Sequence, residues 1–371
     1  MRLFEKMLLP IFDTAGVSID GKAPWDIEVH HSGFYRRVML EGSLGLGESY
    51  MDGWWDCAAL DQFFERIIRA GLHNRNERVW PSKLLSFSNA LRNMQQRHRA
   101  RKVVQHHYDP HSDIIVAFLD PYNQYSCGYF KETDDLNQAQ KMKLDLICRK
   151  LQLSSNDRVL DIGCGWGGFA RYAAENYRCR VTGISTSGEQ LDYARQHCQG
   201  LPVQFHQCDY RQLKGTFDKI LVCGMIEHVG YKNYRTIMQK VGECLSDEGL
   251  FLLQTIGGST SVVSNDPWIE KYFFPNSMLP SLPQITEAAE DLFVTEDLHS
   301  FGHYYDNTLM AWYQNFQARW PEIKSRGSQR DFRMWSYYFL HLAGTFRARK
   351  TQLWQFVFSK KGIPGGLPVF R

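Results

Sequence analysis

The stretch VLDIGCGWGG, Val159 to Gly168, decides the fold of this chain. It starts as a buried strand, and Gly163, Gly165 and Gly168 then satisfy the spacing G-x-G-x-x-G. A strand that runs into such a turn and then into a helix is typical of the first unit of a doubly wound α/β sheet. We therefore expect a Rossmann-like fold that binds a ligand where this strand ends.

The sequence after this stretch alternates between two patterns. Strand-like runs, beginning with the one above, are RVLDIG, CRVTGIS, PVQFHQCD, KILVCGM and LFLLQTIG, and helix-like segments such as GEQLDYARQHC and YRTIMQKVGECL separate them. This alternation predicts a doubly wound, mostly parallel sheet. Upstream, IEVHHSGFYRRVMLEGSLGLGESYMDGWWD combines a strand signal with a glycine-rich turn region, and CAALDQFFERIIRAGL has helical spacing. These segments predict a smaller N-terminal domain that is α+β or mainly helical.

Length and composition allow one large domain or two ordinary ones. The chain has 371 residues, 43% of them apolar, and a formal net charge of +3. No apolar run approaches the roughly 18 residues of a membrane span, and Pro10 and Asp13 interrupt the N-terminal segment before a signal-peptide core forms. The nine cysteines are scattered without a Cys-x-x-Cys pair, so we expect no disulfide framework, no zinc knuckle and a cytoplasmic location.

Positive charge is concentrated between residues 66 and 105. Against one acid, Glu77, this segment contains ten basic residues: Arg66, Arg69, Arg75, Arg78, Lys83, Arg92, Arg97, Arg99, Arg101 and Lys102. The segment suits an anionic surface, either phospholipid headgroups or nucleic acid, although a solvated helical face with a polar linker explains it as well. It also predicts a boundary, with an N-terminal domain at 1–95, a basic linker at 96–115 and a catalytic domain at 116–371.

The ligand class follows from acidic residues that are present or missing. Asp161 stands two residues before the first glycine, where a carboxylate attracts a cationic cofactor and repels a pyrophosphate. The next strand, CRVTGIST, lacks the acid with which dinucleotide sites bind a ribose. Both features favour S-adenosylmethionine over NAD or FAD, and a purely structural turn stays as an alternative.

Five motifs, in this order, resemble those of the cyclopropane-fatty-acyl-phospholipid synthases: YSCGYF, VLDIGCGWGG, MIEHVG, DPWIEKYFFPN and YDNTLMAWYQNF. The segment EGSLGLGESYMDGWW resembles the bacterial phospholipid-acting branch, so the likeness covers almost the whole chain. The resemblance implies a class I methyltransferase fold. It also implies an enzyme that uses S-adenosylmethionine to build a cyclopropane ring on the cis double bond of an acyl chain.

Such an enzyme needs a base late in the reaction, because ring closure requires loss of a proton beside a carbocation. The run DKILVCGMIEHVG delivers Glu227 at the end of the fourth strand. By resemblance, this glutamate holds a bicarbonate ion, the proposed base, which the backbone at Cys127 and Ile256 and the hydroxyl of Tyr305 also hold. A helix-capping acid is the alternative role for Glu227.

One position departs from the family. Many relatives have a histidine ligand for bicarbonate in the fifth strand, whereas LFLLQTIG has Gln254 there. Because glutamine can donate through its amide nitrogen, we expect the anion site to survive with a changed ligand.

The cofactor contacts are also implied by the resemblance. The residues that match them, together with Asp161, are Tyr125, Ser126, Gly163, Gly165, Ser185, Thr186, Gln190, Asp209 and Tyr210. In this assignment Ser185, Thr186 and Gln190 replace the missing ribose acid, and Asp209 and Tyr210 sit near the adenine. The segment STSGEQ also reads as a capped helix start, and both readings can hold together.

The expected partners are unsaturated phospholipid, an anionic surface at the inner face of the cell membrane and, from the family alone, a second copy of the chain.

We expect His228 to be a structural residue rather than one that lines the site. We expect the Cys127 thiol to serve packing, since alkene methylation needs no covalent intermediate. His107 and His111 in HHYDPH have metal-ligand spacing, but Pro110 argues against the helix, so we expect no metal. A nucleic-acid methyltransferase is disfavoured because neither an Asp/Asn-Pro-Pro-aromatic motif nor a Pro-Cys nucleophile follows KILVCG. A silent binding protein is the other rival.

Overall fold

The structure of the protein, a computed structural model, describes residues 2–72 and 112–371. Of the ten basic residues in the charged segment, only Arg66 and Arg69 lie within this range. Most of the predicted linker, and His107 and His111 of HHYDPH, lie outside the described residues. None of the helices in the described ranges is both long and apolar enough to cross a membrane.

The described residues contain helices and strands that we number in chain order. The helices are α1 (Arg2–Asp13), α2 (Phe34–Glu41), α3 (Ser43–Met51), α4 (Leu60–Arg69), α5 (Ser112–Phe118), α6 (Leu136–Lys150), α7 (Gly168–Tyr177), α8 (Gly188–His197), α9 (Tyr234–Cys244), α10 (Pro267–Tyr272), α11 (Leu282–Ala289), α12 (Tyr304–Ile323) and α13 (Gln329–Arg347). The strands are β1 (Ile27–Val29), β2 (Trp55–Cys57), β3 (Arg158–Ile162), β4 (Arg180–Ser185), β5 (Val203–Gln207), β6 (Phe217–Cys223), β7 (Leu245–Gly258), β8 (Val294–Ser300) and β9 (Thr351–Ser359).

The chain divides into two compact units that interleave along the sequence. The described part of the first unit comprises 2–72, 264–275 and 305–351, and that of the second comprises 112–263, 276–304 and 352–371. Two late segments therefore join the N-terminal residues, whereas the sequence suggested contiguous domains. The lipid-associating role of 1–95 and the catalytic role of 116–371 stay predictions.

The first unit is mainly helical, with one small antiparallel sheet formed by β1 and β2. The expectation of a glycine-rich turn region after β1 was wrong, because most of that run forms the helix α3. The reason is close packing. A methyl group at Gly47 would lie 2.3 Å from the Trp268 ring, so this glycine lets α3 approach α10 rather than turning the chain.

The second unit is built on a seven-stranded sheet with the order β5-β4-β3-β6-β7-β9-β8. The pairs β3/β4, β3/β6, β4/β5 and β6/β7 are parallel, which confirms the predicted α/β class and all five predicted strands. The alternation did not predict β8 and β9, which pair antiparallel with each other.

Both faces of this sheet are buried. On one face Leu144 and Ile147 of α6 pack in the same cluster as Val159 and Leu221, and α9 covers the other face. Burial on both faces explains why the strands read as nearly continuous apolar runs. In a sheet of this topology, ligands bind at the carboxyl ends of the parallel strands, so the residues that follow β3, β4, β6 and β7 form the candidate site.

Candidate active site

The turn after β3 has the geometry of a nucleotide cradle. The backbone N–H groups of Gly163 and Cys164 both donate to the Ile184 carbonyl, at 2.9 and 3.0 Å, which fixes the turn against β4. Gly165 has a φ of +51°, and a methyl group there would meet no atom within 4 Å. The backbone thus has a conformation that favours glycine and faces open space, so a ligand can approach it closely. These residues fit the predicted cofactor.

Asp161 lies at the end of β3, beneath this turn. Burial raises the pKa of Asp161 to about 7, and the nearby ammonium of Lys143 opposes that rise. A cation placed beside this carboxyl group would favour its ionised form. The position therefore suits a positively charged ligand, as the sequence suggested.

Tyr125 and Ser126 lie in a loop that its own side chains and α6 hold in place. Asp120 accepts from the backbone N–H groups of Tyr122 and Gln124, both at 2.8 Å, which closes the start of the loop. Lys143 of α6 donates to the Ser126 hydroxyl at 3.0 Å. Within the second unit, Ser126 also lies 3.9 Å from the thiol of Cys223 at the end of β6, so the loop reaches the same edge of the sheet.

The end of β4 brings two of the predicted ribose residues together. The Ser185 hydroxyl donates to Gln190 Oε1 at 3.4 Å, and Ser187 caps α8 by accepting from the Gln190 backbone N–H at 3.3 Å. The capped helix start is therefore confirmed. Because its Oε1 accepts from Ser185, Gln190 still has its amide nitrogen as a donor. Thr186 lies between the end of β4 and the capping residue Ser187.

Asp209 and Tyr210 follow β5 in a 3-10 turn, Tyr210–Gln212. The Asp209 carboxylate pairs with Arg211 at 2.9 Å and accepts its backbone N–H at 3.0 Å, so it is already engaged in shaping the turn. The buried Tyr210 hydroxyl has no hydrogen-bond partner among the described residues. Of the two, Tyr210 has the polar group that is still available to a ligand.

Glu227 lies in a 3-10 turn, Ile226–His228, just after β6. Its Oε1 accepts the Ile256 backbone N–H at 2.8 Å, whereas its buried Oε2 has no hydrogen-bond partner among the described residues. Burial raises the pKa of Glu227 to about 7, and backbone hydrogen bonds, including the one from Ile256, oppose that rise. Its Oε1 thus bonds β7 and not the start of a helix. A buried carboxyl oxygen without a partner is costly, and it is a natural acceptor for a bound ligand.

Gln254 and Ile256 lie two residues apart on β7, beside the end of β6. Gln254 is buried, and its Oε1 accepts from Gln355 Nε2 of β9 at 2.8 Å. This contact leaves the Gln254 amide nitrogen as the group that can donate to a ligand. Cys127 is also buried, and its thiol donates to the Gly128 carbonyl at 3.2 Å.

Tyr305 belongs to the first unit, where it is buried with its ring centroid 4.4 Å from that of Phe346. The other predicted site residues lie in the second unit. His228 is neutral near pH 7, because burial lowers its pKa to about 4. In the described ranges, no group of three or more His, Cys, Asp or Glu side chains is arranged to hold a metal ion.

Sequence reasoning missed three buried polar residues of this site: Gln140, Lys143 and Gln355. A signal for the first two was present. The apolar stripe of α6 runs through Leu136, Ala139, Leu144 and Ile147, and Gln140 and Lys143 occupy positions inside that stripe. Polar residues at the buried positions of a helix indicate a specific partner.

Comparisons with known proteins agree with this geometry. The family model described as mycolic acid cyclopropane synthetase matches residues 95–356. The cyclopropane-fatty-acyl-phospholipid synthase of Escherichia coli strain K12 is 50% identical over 361 residues, which cover 97% of this chain and 94% of that protein.

Solved structures give the same result. The cyclopropane synthase MmaA2 from Mycobacterium tuberculosis superimposes with a TM-score of 0.66 at 27% identity, covering 70% of this chain and 98% of that one. The mycolic acid cyclopropane synthase CmaA1, solved with SAH and CTAB, gives a TM-score of 0.65 at 28% identity, covering 70% of this chain and 98% of its own. From the glycine turn, the buried carboxyl groups and these matches together, we conclude that the chain belongs to the cyclopropane-fatty-acyl-phospholipid synthase family of S-adenosylmethionine-dependent methyltransferases.

Proposed function

We propose that this protein transfers a methylene group from S-adenosylmethionine to the cis double bond of an unsaturated acyl chain in a membrane phospholipid. The observation that carries the proposal is the buried Glu227 carboxyl group, whose Oε2 lacks a partner among the described residues. It follows β6, the strand next to β3 and its glycine turn. The similarity to the Escherichia coli synthase, which extends over nearly the whole chain, supports the phospholipid as substrate.

The bound cofactor supplies an electrophilic methyl group on a sulfonium centre. The residues that would hold it are those at the carboxyl ends of β3 and β4. Asp161 offers an acceptor for its ammonium group, Gly163 and Gly165 admit it close to the backbone, and Ser185 and Gln190 offer neutral donors and acceptors for the ribose hydroxyls. No dedicated ion pair is needed at the ribose.

Proton removal is the second half of the reaction. A carbon–carbon bond to the methyl carbon would form as the bond from that carbon to the sulfonium sulfur breaks, with S-adenosylhomocysteine as the leaving group. The positive charge would pass to the acyl chain, and loss of one proton from the added methyl group would close the ring. We propose that an enzyme-bound bicarbonate accepts that proton, with Glu227 Oε2 accepting the hydrogen bond of its O–H. The Ile256 N–H already donates to Glu227 Oε1. If the same N–H also donates to the bicarbonate, as proposed, it must be shared between two acceptors.

Gln254 is the proposed substitute for the family's histidine ligand. Gln254→Leu is expected to lower turnover or bicarbonate affinity by about ten- to a hundredfold, because a hydrogen bond to a charged group contributes about 1.5–3 kcal/mol. Gln254→His should retain substantial activity, since imidazole has a similar reach and a donor. The measurement is turnover on unsaturated vesicles at graded bicarbonate concentrations.

The matched control is Gln355→Leu, because Gln254→Leu also removes the acceptor of the Gln355 amide. If Gln254 binds the anion, the Gln254 variant should need far more bicarbonate than the Gln355 variant, which loses only the contact that orients the Gln254 amide. If both leucine variants behave alike at every bicarbonate concentration, the pair is merely structural and the anion site must be drawn differently.

The basic segment is proposed to contact anionic lipid at the inner face of the membrane. Changing Arg97, Arg99, Arg101 and Lys102 to Glu is expected to weaken binding to anionic vesicles, since each basic residue near such a surface contributes about 1 kcal/mol. Vesicle sedimentation at several salt concentrations measures this effect. Unchanged, salt-sensitive binding would support the solvated-face interpretation. A homodimer stays an expectation from the family.

The proposal is tested by incubating the protein with S-adenosylmethionine and vesicles of an unsaturated phospholipid. The acyl chain should gain the mass of one methylene group while S-adenosylhomocysteine accumulates. Binding of the cofactor without any turnover would favour the silent binding protein instead.

A further inference from the structure

Helix α6 presents two fully buried polar side chains, Gln140 and Lys143, which lie one helical turn apart. Each is 0% exposed. Residues three apart share a helix face, so both point toward the same neighbour. That neighbour is the loop that contains Tyr125 and Ser126.

The two side chains hold this loop at complementary points. Gln140 Nε2 donates to the backbone carbonyls of Ser126, at 2.8 Å, and of Gln124, at 3.4 Å. Lys143 Nζ donates to the side chains of the same two residues, Ser126 Oγ at 3.0 Å and Gln124 Oε1. Gln124 and Ser126 are thus fixed by backbone and side chain alike, with Tyr125 between them.

This is a costly way to hold a loop. Burial lowers the pKa of Lys143, and Cys223, Asp120, Cys127 and Asp161 act against that change. The buried Oε1 of Gln140 finds no hydrogen-bond partner among the described residues. Apolar residues of similar volume often stabilise a fold as well as buried polar contacts do. A role beyond stability therefore suits these two residues.

The geometry has a chemical consequence at Ser126. A hydroxyl group that accepts from an ammonium group has its own hydrogen left to donate. Ser126 is thereby set as a donor, while Asp161, which also interacts with Lys143, is an acceptor when ionised. The methionine end of the cofactor carries one carboxylate and one ammonium group, which need one donor and one acceptor.

We propose that Gln140 and Lys143 are positioning residues for the methionine end of S-adenosylmethionine. Gln140 fixes the backbone of the 124–126 segment, and Lys143 orients the Ser126 hydroxyl as the donor to the methionine carboxylate. The inference rests on the proposed function, and it assigns to α6 a role in cofactor recognition.

The test compares two ligands by calorimetry on the full chain. S-adenosylhomocysteine has the amino-acid end, whereas 5′-methylthioadenosine keeps the adenosine part and lacks that end. Lys143→Met and Ser126→Ala should each weaken S-adenosylhomocysteine binding by about ten- to a hundredfold and leave 5′-methylthioadenosine binding within about twofold. Because Lys143 acts through Ser126 and also favours the ionised form of Asp161, the double variant should lose less affinity than the sum of the two single losses.

Three results would overturn the inference. The first is an unchanged S-adenosylhomocysteine affinity in Lys143→Met. The second is an equal loss of affinity for both ligands, which would indicate a general structural defect. The third is a double variant whose loss equals the sum of the two single losses. Ser126→Ala keeps the test decisive if Lys143→Met does not fold, since the alanine variant must still discriminate between the ligands. If the parent protein binds neither ligand, it is the proposed function that fails.

Discussion

Glu227→Gln is expected to lower turnover by about 10²- to 10⁴-fold while leaving the affinity for S-adenosylmethionine unchanged. The amide can still accept from Ile256, so the local structure is kept, but it cannot supply the anionic acceptor that positions the base. Single-turnover kinetics on unsaturated vesicles, together with calorimetry of cofactor binding, separates the two effects. A variant with near-normal turnover would remove Glu227 from the mechanism.

The matched control is Glu243→Gln, which removes an exposed carboxylate that pairs with Lys240 on α9. Its turnover should stay within about twofold of the parent, because its side chain lies in solvent. A comparable loss in this variant would indicate that the assay reports net charge rather than the site.

Glu227→Gln is also expected to change the stability of the protein, and the sign follows from the pKa of Glu227. The folded Glu227 carboxyl group keeps its proton until about pH 7, against an ordinary value of 4.5. Between about pH 4.5 and about pH 7 the folded state therefore binds more protons than the unfolded state. The contribution of Glu227 to stability falls as the pH rises through this range. Above that window the cost is of the order of 3 kcal/mol. Glu227→Gln should thus raise the unfolding temperature of the ligand-free protein more at about pH 8 than at about pH 5.

Gly168→Ala is expected to weaken cofactor binding by about ten- to a hundredfold and to lower the free energy of unfolding by about 1–3 kcal/mol. A methyl group at Gly168 would lie 1.8 Å from the Tyr122 carbonyl oxygen and 2.4 Å from Gln124 Nε2. The loop must then withdraw from α7, and Tyr125 and Ser126 move with it. Thermal unfolding and calorimetry with S-adenosylhomocysteine measure the two losses.

Gly188→Ala provides the control for this prediction. Both glycines are the first residue of a helix that follows a strand of the same sheet, but a methyl group at Gly188 would meet its nearest atom at 3.6 Å. Cofactor affinity in this variant should stay within about twofold, with stability equal or slightly higher. Parent-like behaviour of Gly168→Ala would mean that the loop adjusts freely and does not position the cofactor.

The sheet was predictable because its physics is local. Strands buried on both faces need continuous apolar runs such as Ile220–Val222, and the turn after β3 needs glycines at fixed spacing. The position of Glu227 followed from the same reasoning, since a residue just after a parallel strand lies at the ligand-binding edge. These features are written in neighbouring residues.

Other features depend on contacts distant in sequence. Gly47 serves a helix that packs against Trp268, more than two hundred residues later, so its neighbours in sequence suggested a turn instead. The addition of 264–275 and 305–351 to the N-terminal unit has the same origin. In each case a tertiary contact overrides the local signal.

The central claim is that a methyl group is delivered to an alkene and then loses one proton to close a ring. It is tested most directly with S-adenosylmethionine that carries a fully deuterated methyl group, on vesicles of an unsaturated phospholipid with bicarbonate present. We expect the acyl chain to gain one carbon that carries two deuterium atoms, and its olefinic protons to disappear. Retention of all three deuterium atoms, or a product that still carries an alkene, would contradict ring closure.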